Sequence, residues 1–270
     1  MCVIAYQTKN QELLTYDEIK NMALTNPHGM GWMANIGGHV CYKKGYFNVN
    51  QFYDDYVELR QNSELIDIAL HFRIGTGSAI DVANCHPFPI TSNPKRIKKA
   101  RGICDVGVMM NGIIGKSTTE FSDTALYVMK NLKAYYDSDR RFFLNMSRQR
   151  EIIFENEIYS CRFVFMSRDG SKLFGKGWSD YNGKAQVSNR HWIPKTQVKT
   201  AIESANVFQN TYSDWDDDGW YDDDDYYNSS YNAFNSWYSE YKARRFATSN
   251  ATKRHKSYID YIEDALIGED

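Results

Sequence analysis

The sequence predicts an α+β fold built on antiparallel sheets, and three observations carry that expectation. Turn residues sit between apolar runs at hairpin spacing: Gly37-Gly38 inside "GMGWMANIGGHVCYKKGYF" (29–47) and Asp169-Gly170 inside "CRFVFMSRDGSKLFGKG" (161–177). Strand-like runs dominate the first two thirds of the chain. The helical segments between them follow no regular βαβ alternation, which argues against a parallel sheet.

Taken in order, the elements have local reasons. "MCVIAY" opens the chain and reads as a strand from Val3 to Tyr6. In "TYDEIKNMALTNP" (15–27), Thr15 and Glu18 have the spacing of a capping box, and Pro27 helps to stop the helix. The 29–47 hairpin follows, and then a helix in "NQFYDDYVELRQNSE" (50–64). "LIDIALHFRIGTG" (65–77) reads as a buried strand running into a glycine-containing loop. "VGVMMNGIIG" (106–115) is a short apolar strand interrupted by Asn111-Gly112. "FSDTALYVMKNLKAYY" (121–136) is a helix capped by Ser122 or Asp123, and the 161–177 hairpin closes the series.

At 270 residues the chain has room for one large domain or a domain with an appendage. Hydrophobic residues make up 42%, enough for a core, and a formal net charge of -2 argues against general polyanion binding. No window approaches the roughly 18 apolar residues of a membrane helix. The start lacks a basic-then-apolar signal pattern. The five cysteines (Cys2, Cys41, Cys85, Cys104 and Cys161) are odd in number, widely spaced and without a CxxC pair. That usage predicts reduced thiols in a cytoplasmic setting and no zinc site.

Composition changes near residue 200. Eight aspartates fall between Asp214 and Asp225, interleaved with Trp and Tyr, and their repulsion opposes a compact core. Farther on, Tyr258, Ile262, Ala265 and Leu266 share one helical face. The expected organisation is a domain over 1–195, an acidic aromatic linker over 196–250 and a short amphipathic helix over 251–270.

A thiol at residue two poses the functional question. Cys2 is either a small core residue near a frayed end or, with Met1 removed, a nucleophile that also carries a free α-amine. Four later stretches bear on the choice: "NPHGMGW" (26–32), "HFRIGTGSAIDVANCHPF" (71–88), "MNGII" (110–114) and "FSDTAL" (121–126). With Cys2 they resemble the class II glutamine amidotransferases, the N-terminal-nucleophile (Ntn) glutaminases. That family's pattern runs N-terminal Cys, N-x-D-G-x-G, H-x-R-x-x-T-x-G followed by N-x-H-P-F, then H-N-G and S-D-[ST]. The resemblance spans roughly residues 2–175. It implies a four-layer αββα Ntn-hydrolase sandwich of two antiparallel sheets, followed by the acidic aromatic tail, and needs no cofactor or metal.

The residue types suit amide cleavage. A thiol has a reference pKa near 8.5 and an α-amine near 7.7–8.0, so the amine of a mature N-terminal Cys2 can accept the thiol proton and return it to departing ammonia. By resemblance, Asn111 and Gly112 form the oxyanion hole, although an isolated Asn-Gly equally suits a hairpin turn. Arg73 would clamp the substrate α-carboxylate and Asp123 the α-ammonium. Their plainer readings are a strand-end charge and a helix cap. Thr76 and Gly77 would shape the loop over the site, and Gly29 and Gly31 would allow close backbone approach. His71 and His86 would hold the loop by hydrogen bonds rather than act as bases. Cys85 is the remaining cysteine expected nearest the site. The chain departs from the pattern at Val3, His28 and Met110.

These features imply glutamine hydrolysis through a Cys2 thioester. About 75 residues after the domain are too few for a synthetase or transferase domain, so a separate ammonia-acceptor enzyme is the expected partner. Single-domain proteins with such divergent tails resemble in style those encoded by tailed bacteriophages. No membrane or direct nucleic-acid partner is expected. Two alternatives stand beside this: an Ntn hydrolase of another amide, and an interaction protein whose Asp-rich tail binds a basic partner or mimics nucleic acid.

Overall fold

Eleven strands and six α-helices form where side-chain alternation and caps dictate, in a computed structural model that describes residues 1–75 and 77–194. Thr76, the Asp-rich segment and the expected C-terminal helix lie outside the described residues. Met1–Asn189 belong to one compact unit. Its seven-stranded sheet has the order β10 (Ser179–Tyr181), β11 (Ala185–Val187), β1 (Val3–Thr8), β4 (Leu65–Phe72), β2 (Met30–Ile36), β3 (His39–Tyr46), β6 (Arg101–Cys104), and its four-stranded sheet the order β5 (Phe88–Pro89), β7 (Val106–Asn111), β8 (Arg162–Ser167), β9 (Gly170–Phe174). Every pairing is antiparallel. The fold is α+β, and none of the helices described is long and apolar enough to cross a membrane.

β1 (Val3–Thr8) lies inside the large sheet, pairing with β4 (Leu65–Phe72) from Val3↔Phe72 to Thr8↔Asp67. β2 (Met30–Ile36) and β3 (His39–Tyr46) form the expected hairpin around Gly37-Gly38, both at positive φ (56° and 80°). α1 (Tyr16–Thr25) carries the expected capping box: Thr15 Oγ1 accepts the Glu18 N–H at 3.3 Å, and Glu18 Oε2 accepts the Thr15 N–H at 2.6 Å. α2 (Val49–Gln61) buries Phe52, Tyr56 and Leu59. The Phe52 ring meets the Phe72 ring edge-on at 5.4 Å, so this helix covers the outer face of β4.

The small sheet contains β5 (Phe88–Pro89), β7 (Val106–Asn111), β8 (Arg162–Ser167) and β9 (Gly170–Phe174). Its strands alternate cleanly. Met109, Val164 and Met166 pack with Ile4, Met33 and Ala69 of the large sheet. Val108, Met110, Phe163 and Phe165 pack instead with Ala125, Val128, Leu132 and Phe154 of the helices. Two apolar layers thus share one sheet, as a period of two allows.

Several local features differ from the sequence reading. The β8–β9 pairing Ser167↔Gly170 makes Arg168-Asp169 the turn, with Gly170 opening β9. Ser122, not Asp123, caps the next helix through a 3.2 Å bond from the Ala125 N–H. That helix is also discontinuous: α4 (Asp123–Tyr127) passes through a π-helical turn (Val128–Leu132) into α5 (Lys133–Ser138). α3 (Pro94–Lys98) starts with Pro94 in its first turn. α6 (Arg148–Ile158) escaped the reading because it buries only Phe154 and Ile158 and exposes Ile152 and Ile153. β6 (Arg101–Cys104), β10 (Ser179–Tyr181) and β11 (Ala185–Val187) are too short to show a pattern.

The aromatic layer beneath the helices makes a testable claim on stability. Phe165 is fully buried and stacked on Phe143 at 4.1 Å. Phe165→Ala should lose about 3–5 kcal/mol in denaturant unfolding. Ile153→Ala, on the exposed face of α6, should stay within about 0.5 kcal/mol.

Candidate active site

The strand pairing brings residue 2 against the residues that follow β4. Cys2 Sγ receives the Ile74 N–H at 3.4 Å and approaches the Ile74 carbonyl at 3.5 Å. Three bonds lock that loop to the chain entering β2. The Arg73 N–H donates to Gly29 O at 2.8 Å, the His28 N–H to Arg73 O at 2.9 Å, and the Gly75 N–H to His28 Nδ1 at 2.8 Å. His28, read only as a departure from the family pattern, is therefore a brace. Gly31 is required by proximity: a Cβ there would lie 2.1 Å from His86 O. Burial raises the Cys2 thiol pKa. The Ile74 backbone bond, the N-terminal ammonium and Arg73 oppose that rise, and Asp123 adds to it.

Arg73 and Asp123, which come from different loops, push the thiol pKa in opposite directions. Arg73 is 3% exposed. Its Nη2 donates to Ser78 Oγ at 2.8 Å, while its Nη1 is buried with no hydrogen-bond partner. Among the described residues no acidic side chain forms a salt bridge with it. Asp123 Oδ2 accepts the Ile114 N–H at 2.9 Å and Oδ1 the Thr124 N–H at 2.8 Å, so it braces the loop after Gly112. Asn84 sews the two loops together, accepting the Ser122 N–H at 2.7 Å and donating to Glu120 O at 3.2 Å. Gly77 is exposed, with Ser117 Oγ 2.5 Å from where its Cβ would lie. Thr76 lies outside the described residues.

Asn111 ends β7, whose partners are β5 and β8, so Asn111-Gly112 is not the turn of a hairpin. Gly112 has φ 144°, and a Cβ there would sit 2.6 Å from Cys161 Sγ. Asn111 is fully buried; Nδ2 lies 2.9 Å from Ser188 Oγ, and Oδ1 has no partner. Ser188 in turn accepts the Ile4 N–H at 2.9 Å and donates its own N–H to Ile4 O at 2.9 Å. Asn189 Nδ2 donates to Cys2 O at 2.7 Å. Sequence reasoning missed Ser188 and Asn189 because 184 and 187 residues separate them from their partners in β1 and at Cys2.

Behind these groups lie two neutral imidazoles. His71 Nε2 donates to Met110 O at 3.0 Å, which ties β4 to β7 rather than to the loop. His86 forms no hydrogen bond among the described residues, contrary to the loop-holding expectation. Its ring packs 4.0 Å from the His71 ring and 4.8 Å from that of Phe88. Burial pushes the His71 pKa down to about 3, and burial with His71 nearby drives that of His86 well below its ordinary value. Lys44 is also enclosed. Its amine donates to Ala83 O at 2.9 Å and Ile97 O at 2.7 Å, and burial lowers its pKa to about 7. Cys85 does lie beside the loop, 3.2 Å from Asp81 O.

Among the described residues no three His, Cys, Asp or Glu side chains gather as a metal ion would require. No protein-family model matches the chain, and no curated protein matches it significantly.

The buried histidines set a pH dependence whose sign follows from their lowered pKa values. Below the unfolded reference near 6.5 the unfolded chain binds protons that the folded chain refuses, so stability is present above pH 6.5 and lost on acidification. His86→Phe keeps the stacked ring and removes one such group. Between pH 7 and pH 5 the unaltered protein should lose about 2 kcal/mol more than the variant in urea titrations. Equal losses would mean that His86 is charged in the folded state.

Proposed function

We propose that this chain hydrolyses the side-chain amide of glutamine in the manner of class II glutamine amidotransferases, with Cys2 as nucleophile once Met1 is removed. One observation supports the reading most: among the described residues Arg73 is a buried cation whose Nη1 has no hydrogen-bond partner and which forms no salt bridge, on the loop whose Ile74 N–H meets the Cys2 thiol. A buried guanidinium without a counter-ion is costly, and the carboxylate of a bound amino acid would offset that cost. Within this reading the two sheets and their flanking helices correspond to the αββα Ntn sandwich.

The chemistry balances with the residues present. The Cys2 α-amine takes the thiol proton, and the thiolate attacks the carboxamide carbon. The resulting oxyanion is met by the Asn111 amide and the Gly112 N–H. The protonated amine then gives its proton to the departing nitrogen, and ammonia leaves a thioester. A water molecule, losing a proton to the same amine, attacks that thioester and releases glutamate and Cys2. Arg73 and Asp123 hold the two charged ends of the free amino acid. Ammonia then passes to an acceptor held by a separate enzyme, in a cytoplasmic setting.

Intact mass before and after treatment with the diazoketone analogue of glutamine tests the assignment. The purified protein should begin at Cys2 and gain one adduct there, and full glutaminase activity with Met1 retained would sink the mechanism. Asn111→Ala should lower turnover about 10²–10³-fold. Arg73→Lys should weaken glutamine binding by about 1–3 kcal/mol, because it keeps the charge but loses the fork. Cys2 should still react normally with iodoacetamide. Normal glutamine affinity with an unreactive thiol would instead make Arg73 a tuner of the thiolate.

A further inference from the structure

Ser188 occupies a junction that the amide-hydrolysis reading does not use. It is fully buried, and its backbone N–H and hydroxyl oxygen both bond to Ile4, two residues along β1 from Cys2. The same hydroxyl oxygen lies 2.9 Å from the Asn111 amide. Ile4 packs toward the small sheet, and Cys2 precedes it by two residues, just before β1 begins. Met109 faces the large sheet from β7, so Asn111, two residues on, faces it too.

Hydrogen-bond accounting then decides how the Asn111 amide is oriented. As placed, Ser188 Oγ accepts from both Ile4 N–H and Asn111 Nδ2. Its own proton has no acceptor among the described residues, and Asn111 Oδ1 is buried without a partner. Exchanging the amide oxygen and nitrogen pairs the serine proton with the asparagine oxygen, because the hydroxyl then donates to it, and leaves the NH₂ group as the one polar group of the junction still open to a further partner. The NH₂ group moves to the position that lacks a protein partner. The unexchanged form would present a lone pair there, which repels developing negative charge. The exchanged form presents donors.

We infer that Ser188 is a positioning residue that holds the Asn111 oxygen and so turns the Asn111 NH₂ toward the reacting centre. Through Ile4 it also fixes the distance between that donor and the nucleophile's strand. This rests on the amide-hydrolysis reading for its kinetic consequences, but the orientation itself does not. Ser188 thus joins Asn189 in bringing polar groups from the far end of the domain to the residues around Cys2.

The variants Ser188→Thr and Ser188→Val have the same shape and differ in the hydroxyl, so their comparison separates hydrogen bonding from packing. Ser188→Thr should turn over glutamine at least 10-fold faster than Ser188→Val, in kcat and with little change in KM. Iodoacetamide should alkylate Cys2 equally in both, since that displacement forms no oxyanion. The double variant carrying Ser188→Val and Asn111→Ala should turn over glutamine no more slowly than Asn111→Ala alone. Equal turnover of the two variants, or multiplied losses in the double variant, would reduce Ser188 to a strand clasp. The orientation has its own readout in the nuclear magnetic resonance of the unaltered chain, where the Asn111 side-chain N–H pair is identified as the one missing in Asn111→Ala. In Ser188→Ala neither proton should show the upfield shift of a lost acceptor. Such a shift would overturn the exchanged orientation whatever the enzyme's activity. If the unaltered chain releases no ammonia while both protons keep their shifts, the glutaminase reading fails and the orientation stands.

Discussion

The placement of β1 inside the large sheet, between β4 and β11, is the constraint on which the rest of the candidate site depends. An N-terminal residue is ordinarily free to fray, because it has neighbours on one side only. Here the backbone of residues 3–8 is paired along its whole length with β4, while Ser188 and Asn189 close on Ile4 and Cys2 from the other edge. The thiol at residue two is thereby set against the segment leaving β4, where it meets the Ile74 N–H and carbonyl. The loop that leaves β4 passes directly over it, so Ile74 and Arg73 arrive without further design.

Burial then does the electrostatic work. Arg73, Lys44, His71 and His86 are all enclosed, and each meets the problem differently. Lys44 spends its protons on two carbonyls, and burial brings its amine to the edge of neutrality. The histidines stay neutral, and Arg73 cannot. Its guanidinium stays charged with Nη1 buried and without a hydrogen-bond partner among the described residues.

The glycines and the second-layer polar groups serve the same geometry. At Gly31 the His86 carbonyl sits where a side chain would begin, and Gly112 bends past Cys161. Asn84 joins the Arg73 loop to the segment that starts α4, which sets the separation of Arg73 from Asp123. His28 accepts the Gly75 N–H, so the loop over the thiol is latched from the β2 side. None of these residues touches the thiol, yet each determines where a group that does will lie.

Local rules made much of this legible in the chain alone. Thr15 and Glu18 announce α1, Gly37-Gly38 the first hairpin, and apolar runs the strands from which both sheets are assembled, because caps, turns and side-chain periods act within a few residues. The order of Cys2, Arg73, Asn111-Gly112 and Asp123 was equally readable, since residue type and sequence spacing carry it. The roles of Ser188, Asn189, Asn84 and His28 were not. Each acts by a hydrogen bond to a residue tens of positions away or more, and no periodicity records which strand edge will meet which. α6 and the three-residue strands β10 and β11 were hidden for a related reason: their burial is supplied by neighbours rather than by their own pattern. The sequence by itself determined the caps, turns and apolar periods from which the elements are built. Tertiary structure decided which polar groups surround Cys2, because long-range contacts select partners by position in space and not along the chain.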